Sequence, residues 1–88
     1  MANTKSAEKR ARTSEKRRMY NKSIKSRVRT MVAKFEQAVL SGERESASAR
    51  YVQAASALDK AVSKGVLHKN LAARKKSRMA KKLAALGQ

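Results

Sequence analysis

Six acidic residues stand against 23 lysines and arginines in this 88-residue chain, which has no cysteine, no proline, no tryptophan and three glycines. The missing cysteines exclude disulfides and thiolate-bound zinc, so neither can staple a weak core. They also fit a reducing compartment. His68 is the single histidine, and with so few carboxylates it cannot build a metal site. No metal and no other cofactor is expected. No apolar run approaches the ~18 residues that cross a bilayer. The opening stretch "MANTKSAEKRARTSEKRR" has no apolar segment after its charges, so no secretory signal is expected. Glu8 and Glu15 argue against an organelle transit peptide. Paired carboxylates, a nucleophile with its base and a glycine-rich phosphate loop are all missing, so neither an enzyme nor a small-molecule substrate is expected.

What is present is positive charge. The formal net charge is +17. So compact a cation repels itself, and a polyanion is the natural neutralising partner. Nucleic acid is the commonest one, with an anionic membrane surface as its competitor. The charge sits in two blocks: residues 1–29 carry +9, 30–42 carry none, 43–64 carry +1 and 65–88 carry +7. A generic solubilising charge would be spread along the chain. Two charged ends flanking an ordinary middle point to a binding surface assembled from both.

Ala, Lys, Arg, Leu and Met dominate, and all favour helix. The reading is all-α, with Gly42, Gly65 and Gly87 closing helices over 6–41, 44–64 and 68–86. Apolar residues recur in steps of three and four: Ile24, Val28, Met31, Phe35 and Ala38; then Ala47, Tyr51, Ala54, Leu58 and Val62; then Ala72, Met79, Leu83 and Leu86. Each set marks one buried face. Short connections make the expected fold an antiparallel three-helix bundle, whose long first helix extends beyond it as a basic arm. The division falls at residues 1–22 for the arm and 23–86 for the bundle core. In the arm Lys5, Lys9, Arg10, Arg12, Lys16, Arg17 and Arg18 surround the helix axis. A helix polar all round has no apolar face with which to pack. Ordering its backbone costs about 1–2 kcal/mol per residue. The arm is therefore expected to fray in isolation and to order on its partner.

The last helix combines both tasks. In 100° steps, its apolar stripe faces one way while Arg74, Lys75, Arg78, Lys81 and Lys82 fall opposite. Lys76 sits at the edge of the apolar face, placed to snorkel. Leu71 does not fit the stripe. In the first helix Ser23, Ser26 and Thr30 lie opposite Ile24, Val28 and Met31, flanked by Lys22, Lys25, Arg27 and Arg29. Short hydroxyl side chains let a phosphate strand approach and accept hydrogen bonds. Before the third helix, His68 and Asn70 are candidate caps. Together with Lys69 they also suit a phosphate. Both readings stand.

The chain has three aromatics, Phe35, Tyr20 and Tyr51, of which Phe35 and Tyr51 belong to the core stripes. It therefore lacks the stacking platforms of a single-strand binder. No turn of the helix-turn-helix kind separates the helices, which argues against major-groove reading. Contact with backbone phosphates and shape remains. Composition does not separate folded RNA from DNA, and an architectural DNA-binding protein is the alternative.

Three segments taken together resemble a known family. "ANTKSAEKR" (2–10), "NKSIKSRVRT" (21–30) and "KGVLHKNLAARKKSRMAKKL" (64–83) match, in order and spacing, the pattern of the bacterial small-subunit ribosomal protein S20 family. The resemblance covers essentially the whole chain, and residues 43–63 match in Ala-rich helical character alone. It implies a three-helix bundle with an extended first helix, located on the ribosome in the cytoplasm and a monomer within that assembly. It also implies direct binding to 16S ribosomal RNA, including the 5′ domain and the long penultimate helix, early in assembly. The RNA-facing residues it implies are Lys5, Lys9, Arg10, Arg12, Arg17, Asn21, Lys22, Ser23, Lys25, Ser26 and Arg29, with His68, Lys69, Asn70, Arg74, Lys75, Lys76, Arg78 and Lys82. The wheel adds Lys16, Arg18 and Lys81, and ranks Lys76 lowest.

Overall fold

Gly42 and Gly65 adopt φ of +71° and +73°, the left-handed region where a side chain is strained. At each, two backbone bonds close the helix end. Gly42 N–H donates to the Val39 carbonyl and Glu43 N–H to that of Ala38; Gly65 N–H donates to Val62 and Val66 N–H to Ala61. This six-to-one and five-to-two pair is the Schellman motif. Val66 completes the second one by packing against the core. These two closures cut the chain into three helices in the computed structural model, which describes residues 2–86: α1 (Ala2–Leu40), α2 (Arg44–Ser63) and α3 (Lys69–Leu86). The expected cap at Gly87 lies outside the described residues.

The helices sit close to their expected bounds, with one clear difference. α1 starts at Ala2 rather than at 6, because nothing in "ANTKS" stops a helix and no proline or glycine interrupts it. α3 begins one residue later than expected, since His68 serves as its cap rather than its first residue. Among the described residues there is no strand.

α2 packs against both other helices, whereas α1 and α3 meet sparingly. The core is small: Val28, Phe35, Ala38, Ala47, Ala54, Leu58, Ala61, Ala72 and Met79. Phe35 and Leu58 are its largest fully buried side chains. The three buried alanines of α2 let its neighbours approach closely around them. The half-buried Tyr51 ring leans on Phe35 at 6.0 Å between centroids and 59° between planes, a favoured aromatic arrangement. Among the described residues no polar or charged side chain is buried, so water is excluded from apolar contacts alone. Leu71, which did not fit the stripe, is exposed.

Helix length sets the shape. At 1.5 Å per residue, the 39 residues of α1 span ~58 Å while the 20 of α2 span ~30 Å. α2 therefore covers about half of α1. Every residue from 5 to 20 is exposed. The principal extents are 68 × 21 × 13 Å and the radius of gyration is 17.8 Å, against about 12 Å for a compact domain of this length.

Candidate nucleic-acid interface

Along α1, positions 18, 22, 25 and 29 fall within ~60° of one another at 100° per residue. They form a ridge of Arg18, Lys22, Lys25 and Arg29, bordered by Asn21 and Ser26. This flank of α1 is the one that faces α3. Lys25 and Arg29 share an open cleft with Lys75 of α3, floored by Val28, Val32 and Leu67. The packing thus brings cations from the two charged ends of the sequence into one cleft. They must repel each other there, and an anion placed between them relieves that repulsion.

The cleft has an acidic end. Glu36 accepts a hydrogen bond from Lys82 of α3 at 3.2 Å, closing the gap between α1 and α3. Lys76 lies on the other edge of α3, where its ammonium donates to Asp59 of α2 at 2.7 Å. Its stem is half-buried and its head is engaged, in keeping with a place at the edge of the apolar face. Lys75 is also half-buried, because it lines the cleft rather than pointing straight outward. The reading that set Lys75 and Lys82 opposite the stripe therefore placed them too far from the bundle. Arg74, Arg78 and Lys81 are exposed, as that reading expected.

The start of α3 resolves one of the two readings for His68. Its ring Nδ1 accepts the backbone N–H of Asn70 at 3.1 Å, and its carbonyl accepts Ala72 N–H at 3.2 Å. His68 is thus the N-cap, a position where an acceptor side chain is favoured. Asn70 is the capped residue, and its side chain stays exposed beside that of Lys69.

In the arm Lys5, Lys9, Arg10, Arg12, Lys16, Arg17 and Arg18 are all exposed. Arg18 pairs with Glu15 at 2.8 Å, and Thr13 Oγ1 donates to the Lys9 carbonyl at 2.9 Å. Ser23 and Ser26 are exposed on the outer surface of α1, while Asn21 is half-buried. Sequence reasoning passed over Arg50 and Lys60, which fell in the near-neutral middle of the chain. In the fold they line a groove between α1 and α2 together with Arg27. The signal that finds them is a helical row on α2, Ser46–Arg50–Gln53–Ala57–Lys60–Lys64, in steps of four and three.

Residues 2–84 match the model of the family described as ribosomal protein S20. The chain belongs to the ribosomal protein S20 family. Small ribosomal subunit protein bS20 of Clostridium perfringens (strain 13 / Type A) is 55% identical over 86 residues, covering 98% of this chain and 99% of that protein. The bS20 of Geobacillus thermodenitrificans (strain NG80-2) is 57% identical over 83 residues, covering 94% and 93%. That of Mycobacterium ulcerans (strain Agy99) is 53% identical over 87 residues, covering 99% and 100%. Membership of the S20 family assigns a structural, non-enzymatic ribosomal role in the small subunit, in the cytoplasm. Among the described residues no helix is long and apolar enough to cross a membrane.

Proposed function

We propose that this chain binds 16S ribosomal RNA directly, through backbone phosphates, and stabilises the packing of RNA helices as the small subunit assembles. The arm, residues 1–22, and the bundle, residues 23–86, act together as one monomeric unit. The observation that carries this reading is the convergence of Lys25 and Arg29 with Lys75 in a single cleft. RNA helices repel one another through their phosphates. Interposed cations release condensed counterions and lower that repulsion. The arm's cations contact RNA on all sides of the helix. Ser23 and Ser26 donate hydroxyl hydrogens to phosphate oxygens or sugars between them. Lys69 and Asn70, at the capped start of α3, hold a further phosphate, with Arg74, Arg78 and Lys81 continuing along the exposed side of that helix. Lys76 contributes least, because Asp59 already engages it.

The RNA elements proposed for contact are the 5′ domain and the long penultimate helix. Chemical footprinting of 16S ribosomal RNA with the purified protein tests this. Protection confined to those two elements supports the reading, and protection elsewhere contradicts it. Competition separates the DNA alternative. At equal salt, RNA of the small subunit should outcompete duplex DNA of similar length, and equal affinities would favour the architectural DNA-binding reading instead.

A further inference from the structure

We infer that the groove between α1 and α2 is a second, separate phosphate-binding face, so that α1 presents RNA-facing ridges on both of its flanks. The inference rests on the RNA-binding reading above and extends it to residues outside the first ridge. Taking Val28 as the centre of the buried stripe, Arg18, Lys22, Lys25 and Arg29 fall on the flank that faces α3. Lys5, Lys9, Arg12, Lys16, Ser23 and Arg27 fall within ~60° of one another on the other flank, ~140° from that first row, using the same 100° step. That second row runs along the arm and continues into the groove that α1 makes with α2.

The groove itself is cationic. Arg27 of α1 faces Arg50 and Lys60 of α2 across it, with Ser56 and Gln53 between them. Among the described residues no carboxylate pairs with any of the three cations. Arg50 donates instead to the neutral Gln53 side chain at 3.2 Å. By contrast, the α1–α3 cleft and the α2–α3 edge each carry an ion pair, Lys82–Glu36 and Lys76–Asp59. No acid lines this groove, although Glu43 shares a neighbouring hollow with Arg50, so an anion filling the groove would meet cations alone. α2 contributes to its rim a hydroxyl and an amide, groups that contact sugar and phosphate readily. The occupant is a second RNA segment, distinct from the one on the α3 side. Opposite flanks of one helix cannot both face the same straight strand, so the protein lies between two segments as a wedge of positive charge.

The chain's lack of cysteine makes the test direct. Single-cysteine variants Ser56→Cys, in the α1–α2 groove, and Ala33→Cys, in the α1–α3 cleft, each carry an iron chelate that cleaves nearby RNA in the complex with purified 16S ribosomal RNA. The inference expects cleavage from both, over two stretches that do not overlap. It also expects the Arg50→Gln, Lys60→Gln pair to abolish at least nine-tenths of the cutting from position 56 while leaving that from 33 intact. Cleavage from 33 alone overturns the second face and leaves the RNA-binding reading standing. Cutting of the same stretch from both positions also overturns it. A protein cross-link from 56 in the assembled subunit, without RNA cleavage, makes the groove a protein-docking surface and refutes the inference. Cleavage from neither position means that the RNA-binding reading itself has failed.

Discussion

The Lys64 ammonium lies 5.6 Å from the centre of the Tyr20 ring. This contact fixes the far end of α2 beside residue 20 of α1, and so marks where the bundle stops supporting the long helix. Residues before Tyr20 are held by local helical bonds alone, and a lone helix of such length is marginal in water. Circular dichroism of the free protein at physiological salt should therefore show less helix than α1, α2 and α3 together contain, and ribosomal RNA should restore the deficit. Tyr20→Ala removes a half-exposed contact worth about 0.5–1 kcal/mol and should deepen the deficit slightly. Full helicity through the arm without RNA contradicts this account.

Phe35 is completely buried and is the largest side chain in a core otherwise made mostly of alanines. Phe35→Ala should cost about 3–5 kcal/mol by removing contacts and leaving a cavity. A small domain has little more than that to lose. Thermal denaturation should show the variant largely unfolded at 37 °C, while a substitution at exposed Val52 should leave the midpoint nearly unchanged.

His68→Ala removes the acceptor for Asn70 N–H. The expected loss is about 1 kcal/mol, the usual worth of an N-cap, and His68→Asn should restore most of it. Chemical denaturation measures this in the absence of RNA. If His68→Ala weakens RNA binding without lowering stability, the residue serves the ligand rather than the helix.

Glu36 presents a carboxylate at the edge of the cleft that Lys25, Arg29 and Lys75 line. Its pair with Lys82 is half-exposed on both sides, so Glu36→Gln should change stability by well under ~1 kcal/mol. The same variant removes a negative charge near the proposed phosphate path and frees Lys82. Filter binding should show several-fold tighter association with 16S ribosomal RNA at low salt, and the difference should shrink as salt rises. Weaker binding would mean that Lys82 must be held by Glu36 to work.

The core was legible because burial repeats with the helical period. Val28, Phe35, Leu58, Ala72 and Met79 all stand on the expected stripes, and the two described glycine caps fell where left-handed backbone was needed. The side on which a flanking cation ends up depends on which neighbouring helix packs there, and a single-helix wheel carries no such information. At 100° per residue Lys75 and Lys82 lie only about 50° and 70° from the middle of the α3 stripe, flanking it rather than opposing it, and α1 packs on that side. Lys76, on the other edge, pairs with Asp59 of α2, 17 residues away in sequence. Arg50 and Lys60 were hidden for a related reason. Summing charge over segments cancels them against Glu43, Glu45 and Asp59, although none of those acids lines the groove that Arg50 and Lys60 share.

The salt dependence of binding to 16S ribosomal RNA tests the central claim most directly. If about ten phosphates are engaged, the logarithm of the association constant should fall against the logarithm of salt concentration with a slope of about −7 to −9. The Arg74→Ala, Arg78→Ala pair should make that slope shallower by about 1–2 while leaving the thermal midpoint in place. A slope near zero, or an unfolded double variant, would contradict the account.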